Sequence, residues 1–332
     1  MNDSRMLWWK EAKFGMFIHW GLYSIPAGIW NGQEVRKYGE WIMAYGNIPR
    51  IEYESLVHQF NPSKFDPRYW IGLAKQAGIK YIVMTAKHHD GFALWPSRAS
   101  AFNVVDSTPY GKDILAQIAK ECEVQGLRFC CYYSILDWYH PSQLPDLKAK
   151  SSQAGHAYNI MSPERKDEYI QYMKDQLSEL IQNYNPGVIW FDGEWVNWWT
   201  EPDGRGLCNY LRLLKPDIIV NNRIGKGRKG FQGFNKSPDY VGDYCTPEQE
   251  IPEVVEPGVY WETCMTMNDT WGFKLSDHNW KSSQTLINQI RHVNSMGGNY
   301  LLNVGPRADG LIPEESQKIL KEIGDWMRVR RE

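Results

Sequence analysis

Apolar residues along this chain collect into eight short runs rich in β-branched and aromatic side chains. They are Gly15–Trp20, Tyr81–Lys87, Arg128–Ser134, Val188–Asp192, Asp217–Arg223, Tyr240–Tyr244, Val259–Thr263 and Tyr300–Val304. Several are continuous rather than alternating, the pattern of parallel strands covered on both faces. Segments with helical spacing lie between many of them. In Pro163–Tyr184, Ile170, Met173, Leu177, Leu180, Ile181 and Tyr184 form one apolar stripe; Ser162 is placed to cap it and Pro163 to open its first turn. Asp66 and Pro67 repeat that start signal before Trp70, Leu73 and Ala74, and Gly126 is a C-terminal stop for Lys112–Gln125. Gly206–Leu214, Ser282–Met296 and Pro313–Met327 supply further helices; the short gap between the sixth and seventh runs holds no full helix. Strands alternating with helices predict an α/β fold, a (β/α)8 TIM-type barrel, with residues 1–332 as a single domain. A doubly wound open sheet is less favoured, because no GxGxxG follows the first strand.

Composition narrows the partners. With 37 Lys+Arg against 39 Asp+Glu, the chain has no basic excess for nucleic acid or an anionic membrane. No apolar run is long enough to span a bilayer. The opening MNDSRMLWWKEAKFGM lacks a signal-peptide pattern, so the chain reads as cytoplasmic as it stands, or as exported if this is a processed form. The 16 Trp and 19 Tyr are a surplus of flat rings suited to stacking on sugars as well as to filling a core. Cys122, Cys130, Cys131, Cys208, Cys245 and Cys264 show no CxxC spacing and are expected as buried thiols without a disulfide framework.

The C-terminal ends of barrel strands carry catalytic groups, and here those ends are polar. They present His19, then Lys87-His88-His89-Asp90, Tyr133-Ser134 and Asp137, Asp192 with Glu194, Asn221-Asn222-Arg223, the acidic stretch Thr246–Glu250 (TPEQE), and Glu262. Any one of these has an ordinary structural reading as a cap, a hydrogen-bonded histidine or a solvated turn; their recurrence at nearly every strand end does not. Glycoside hydrolysis needs two carboxyls flanking one bond. Asp192 leaves an apolar run that would hold it rigidly, and TPEQE is a movable loop able to bring a second carboxyl. Two other readings compete. A metal-dependent barrel hydrolase would use His19, His88, His89 and Asp192 as ligands, but there is no HxH on the first strand and no HExxH helix. A non-catalytic sugar-binding barrel would explain the rings without needing paired carboxyls.

The strings FGMFIHWGLYS, YGEWI, AKHHDGFALW, CYYSILDWY, VIWFDG, NNR, TPEQE, YWETCMTMNDTWGF and GGNYLLNVGPRADGLIP, from about Trp8 to the last helix, resemble the α-L-fucosidases of glycoside hydrolase family 29. The resemblance implies a retaining exo-hydrolase of terminal α-linked L-fucose, with fucosylated glycans or fucosides as partners and neither metal nor cofactor. By motif, Asp192 stands at the nucleophile position. Glu248 matches the acid/base best, Glu250 is second and Glu262 a distant third. His19, Glu40, Trp41, His88, His89, Tyr133, Trp190, Arg223 and Trp271 match positions that bind the sugar or support the nucleophile, with Tyr133 touching the nucleophile region and Trp190 and Trp271 as apolar walls for the fucose methyl. Members usually carry a β-sandwich after the barrel; this chain stops soon after the last barrel helix, so the barrel is expected without it.

Overall fold

The computed structural model describes residues 4–143 and 161–329. Its main sheet has seven parallel strands: β1 (Phe14–Ile18), β4 (Tyr81–Lys87), β5 (Arg128–Ser134), β6 (Val188–Asp192), β7 (Ile219–Val220), β8 (Glu262–Met265) and β9 (Asn299–Val304). Their order is β7-β6-β5-β4-β1-β9-β8, so sequence neighbours are mostly spatial neighbours and the first and last strands pair. A small antiparallel hairpin, β2 (Ile29–Trp30) and β3 (Gln33–Glu34), sits apart from it. The sheet curls into an α/β barrel wall with the helices outside it.

β4, β5 and β6 have the bounds their apolar runs predict. The sixth predicted strand, Tyr240–Tyr244, does not form. The Asp243 carboxylate takes the place of a strand carbonyl: Val220 N–H donates to Asp243 Oδ2 at 2.9 Å, while Arg5 and Arg212 hold Oδ1. What remains at this stave is a pair of backbone bridges. Asn222 N–H donates to Tyr244 O on one side, and Cys245 N–H donates to Tyr260 O on the other, so Tyr244 and Cys245 link β7 to β8. The seventh predicted strand slides to Glu262–Met265, and the fifth shortens to Ile219–Val220 before a 3-10 turn at Asn222–Ile224.

Helix starts follow their capping signals. Asp66, Asp113, Ser162 and Ser282 each accept from the backbone N–H three residues on. The helix Glu201–Leu214 begins five residues before the predicted Gly206, at a capping box between Thr200 and Asp203.

Two apolar cores result from strand alternation. The outer one packs helices on the sheet. The inner one fills the barrel with Phe17, Tyr81, Val83, Cys130, Tyr132, Trp190 and Leu301, with Trp9 of the N-terminal helix among them. Cys130 and Cys131 therefore belong to different cores, and all six cysteines are buried free thiols. Among the described residues no helix is long and apolar enough to cross a membrane.

Candidate active site

At the C-terminal ends of the strands the inner core gives way to a cavity of about 380 Å³. Phe17, Trp190 and Trp271 line it with aromatic surface, and its polar lining includes His19, Glu40, His88, His89, Asp192, Arg223 and Glu248.

Asp192 is the last residue of β6, and Gly193 turns the chain there at φ +87; a side chain at that glycine would meet the Leu136 backbone at 2.5 Å. The carboxylate is held by two donors, with His89 beside it. Arg223 Nη1 donates to Oδ1 at 2.7 Å, Tyr132 OH donates to Oδ2 at 3.1 Å, and His89 Nε2 lies 3.7 Å from Oδ2. Burial works to raise the Asp192 pKa; the Arg223 guanidinium, helped by His89, more than offsets it and holds the group below the usual carboxylate value.

Arg223 also donates from Nη2 to Glu248 Oε2 at 2.8 Å, so one guanidinium joins both carboxylates. Its Nε is spent on Thr246 Oγ1 and its plane lies over Trp190, 4.5 Å from the ring centroid.

The TPEQE stretch is not the movable loop expected. It runs along β8: Cys264 N–H donates to Pro247 O, Gln249 N–H donates to Cys264 O, and Glu248 N–H donates to Phe231 O. Gln249 adopts φ +54, with its side-chain amide bonded to Thr266. Glu248 lines the cavity before this turn; Glu250, after it, is exposed and does not line the cavity. Glu262 lies beneath the floor. Its carboxyl accepts from Trp190 Nε1 at 2.9 Å and from Tyr81 OH, and burial raises its pKa to about 7.

The histidines are tautomerically defined by their partners. Asn303 donates its amide to Trp271 O, which leaves Oδ1 as the acceptor for His19 Nδ1–H at 2.7 Å. Ser134 donates its hydroxyl to Leu136 O, so its oxygen accepts from His89 Nδ1–H at 2.6 Å. Burial lowers the His19 pKa to about 3 and that of His89 to about 4. Both rings are thus neutral near pH 7 with Nε2 lone pairs as acceptors. His88 enters the cavity beside His89, with ring centroids 4.2 Å apart, because both lie beyond the end of β4, where strand alternation no longer applies. Its buried Nδ1 has no protein partner. Glu40 Oε2 accepts from Gly272 N–H and Thr270 Oγ1–H, Oε1 is buried without a partner, and burial raises the carboxyl to about 7. Trp41 packs edge-on against His89. Among the described residues no group of three His, Cys, Asp or Glu could hold a metal ion.

One expected residue points elsewhere. Tyr133 faces out of the barrel and donates to Gln176 Oε1, with Lys87 over its ring; its neighbour Tyr132 makes the Asp192 contact. Parity across the sheet could have found this, because Tyr132 sits opposite Trp190 in register and shares its face. Reading the strand ends missed Arg228 and Phe231 at the cavity mouth, and Trp195, which follows Asp192 and Glu194 after the fourth run, was not assigned to the site.

The α-L-fucosidase family model matches residues 2–332. The tissue α-L-fucosidase of Bos taurus is 32% identical over 99% of this chain and 69% of its own length. The solved α-L-fucosidase AlfC from Lactobacillus casei, in complex with α-L-fucose product, superposes with a TM-score of 0.85 at 34% identity, covering 99% of this chain and 100% of that one. A GH29 α-L-fucosidase from Bacteroides thetaiotaomicron, solved as a trapped covalent intermediate, has a TM-score of 0.87 at 32% identity over 99% of this chain and 75% of that one. With the whole chain matched in sequence and in fold, it belongs to the α-L-fucosidase family of glycoside hydrolases, GH29.

Proposed function

We propose that residues 1–332 act as one catalytic domain, a retaining exo-α-L-fucosidase that works by double displacement on fucosylated glycans or fucosides. The observation that carries the reading is the pair of carboxylates, Asp192 and Glu248, held by the two ends of the Arg223 guanidinium. Retaining sites place their two carboxyls about 5 Å apart, and a shared guanidinium is a way of holding two such groups close to one another. The trapped covalent intermediate of the Bacteroides relative supports the same course.

In this mechanism Asp192 is the nucleophile. Its lowered pKa keeps it ionised, and Arg223 and Tyr132 fix its line of attack on the anomeric carbon. Glu248 gives its proton to the leaving oxygen, then takes one from the water that releases fucose. As the Asp192 charge is consumed by bond formation, Arg223 is freed to favour the ionised Glu248 left by proton transfer, so one cation serves both half-reactions. His19 and His89 accept from sugar hydroxyls through Nε2, and Glu40 Oε1 and His88 offer further polar contacts. The aromatic floor takes the C6 methyl, which distinguishes fucose from a hexose with a hydroxyl there. A cavity floored by packed aromatic residues admits a chain end, hence the exo action.

The test is Asp192→Ala on an aryl α-L-fucoside. Turnover should fall by about 10⁴-fold or more, azide should restore part of it as fucosyl azide, and a 2-fluoro-fucosyl reagent should label Asp192 in the native enzyme. Label on another side chain, or product with inverted anomeric configuration, would overturn the reading.

A further inference from the structure

Behind the cavity, on the helix side of the barrel wall, lies a charged pair that lines no part of it. Lys87 ends β4, and Asp137 stands in the loop after β5; both side chains are fully buried. Lys87 Nζ donates to Asp137 Oδ2 at 2.8 Å and to Tyr169 OH at 3.2 Å, and it stands over the Tyr133 ring, 4.6 Å from the centroid. A register shift puts it there. Thr85 pairs with Tyr132 but Lys87 pairs with Tyr133, so one extra residue, Ala86, turns Lys87 away from the barrel interior. Burial works to raise the Asp137 pKa; the Lys87 ammonium, helped by His140, more than offsets it.

Asp137 also shapes its own loop. Its Oδ1 accepts from Tyr139 N–H and from His140 N–H, both at 2.8 Å. The residue within that turn is Trp138, whose N–H donates to His89 O at 2.7 Å and whose ring lies against His89, centroids 5.4 Å apart. The two loops are in close contact: a side chain at Gly91 would meet Asp137 Oδ1 at 2.6 Å. The ion pair and the Trp138–His89 bond are thus two adjacent rungs joining the end of β4 to the loop after β5. On the cavity side of the second rung, His89 Nε2 lies 3.7 Å from Asp192 Oδ2.

We propose that Lys87 and Asp137 are a positioning pair for His89, acting through Trp138 to set where that imidazole meets the sugar and the nucleophile. The inference rests on the roles proposed for His89 and Asp192. A buried ion pair is a weak source of stability, because desolvating two charges costs about what their attraction returns, and apolar residues of similar volume often serve the fold as well. Direction is what apolar residues lack. Lys87 fixes where the Asp137 carboxylate stands, the carboxylate bonds the turn that carries Trp138, and Trp138 holds His89 by its carbonyl and its ring. A displacement of Trp138 is therefore passed to a group whose placement governs both binding and attack.

The experiment removes both charges together, since either one alone would be left buried and unpaired. The double variant Lys87→Met with Asp137→Asn keeps the side-chain volumes and an acceptor oxygen for the Tyr139 and His140 N–H groups. On an aryl α-L-fucoside its kcat/KM should fall roughly tenfold with KM raised, because His89 is placed to accept from the sugar. A merely destabilised, partly unfolded sample would lose kcat at unchanged KM instead. In a His89→Ala background the same two substitutions should change kcat/KM by less than about twofold, because the residue they act through is gone. Should the double variant fail to fold, Asp137→Asn alone carries the same test, since burial lowers the Lys87 pKa and favours its neutral amine. Native kinetics in the folded variant, a loss confined to kcat, or an undiminished loss in the His89→Ala background would each overturn the positioning role while leaving the fucosidase reading intact. A native enzyme that takes no 2-fluoro-fucosyl label on Asp192 would overturn both.

Discussion

Arg223 lies over the indole of Trp190, 4.5 Å from the ring centroid, and that indole is itself pinned from below by Glu262. The cation that joins the two carboxylates is therefore set in height by an aromatic ring and in direction by hydrogen bonds. Lysine at this position would keep the charge but neither the stacking nor the two-ended reach. Arg223→Lys should lower kcat about 100-fold, the cost of roughly one charge-assisted hydrogen bond of 1.5–3 kcal/mol lost at the nucleophile, with a smaller effect on KM. Steady-state kinetics on an aryl fucoside measure it; a change confined to KM would show that the guanidinium acts only in binding.

The two adjacent tyrosines of β5 allow a sharper comparison. Tyr132→Phe removes the donor to Asp192 and should cost about tenfold in kcat with little change in stability. Tyr133→Phe removes the bond to Gln176 on the helical side and should cost about 1 kcal/mol of stability with kcat unchanged. Paired kinetics and urea unfolding decide it, and the reverse pattern would mean that the register across β5 and β6 is misassigned.

Glu248 and Glu250 should separate by leaving-group dependence. Glu248→Gln should slow fucosides with poor leaving groups far more than aryl fucosides with good ones, by about 10²–10⁴-fold, whereas Glu250→Gln, beyond the Gln249 turn and exposed, should behave as the native enzyme on both. A Brønsted plot steepened by the second variant instead would move the proton donor two residues along.

Glu262 should leave a signature in pH-dependent stability. Its carboxyl titrates near 7 in the fold, raised by burial from 4.5. Between those values the folded chain keeps a proton that the unfolded chain has released, so this group's contribution to stability falls as pH rises through the window and is fully lost above about 7. Glu262→Gln removes the titration. Relative to the native protein, the variant should gain up to about 3 kcal/mol on going from the acid to the alkaline side of the window. Urea unfolding across that range reads the difference, and parallel curves for the two proteins would contradict it.

How much of this could be read beforehand depended on the kind of contact. Tyr81–Lys87, Arg128–Ser134 and Val188–Asp192 appeared at their predicted bounds, because a strand covered on both faces is written as an unbroken apolar run. Tyr240–Tyr244 carries the same surface signal, yet the Asp243 side chain competes for the Val220 N–H that a strand would have bonded. His19, His88, His89, Glu40, Asp192, Arg223 and Glu248 are legible at strand ends or in motifs and converge on one cavity. Tyr132 was recoverable only by carrying parity from β6 across to β5. Trp195, Arg228 and Phe231 lie on irregular segments whose placement depends on bonds between distant residues, such as Glu248 N–H to Phe231 O, which no local pattern records.

The stave reduced to backbone bridges has an evolutionary corollary. Ordinary barrel strands are anchored along several residues on both edges, so an insertion beside them disturbs the wall. Here Tyr244 and Cys245 supply the bridges that join β7 to β8, Asp243 bonds Val220 on one side and Pro247–Gln249 continue along β8 on the other, and the stretches 225–240 and 250–260 are outside the main sheet. The two differ in what a change of length would cost: 225–240 is tied to Glu248 and Thr246 through Phe231 and Gly233, whereas 251–259 can lengthen or shorten while the strands that cradle the sugar stay undisturbed.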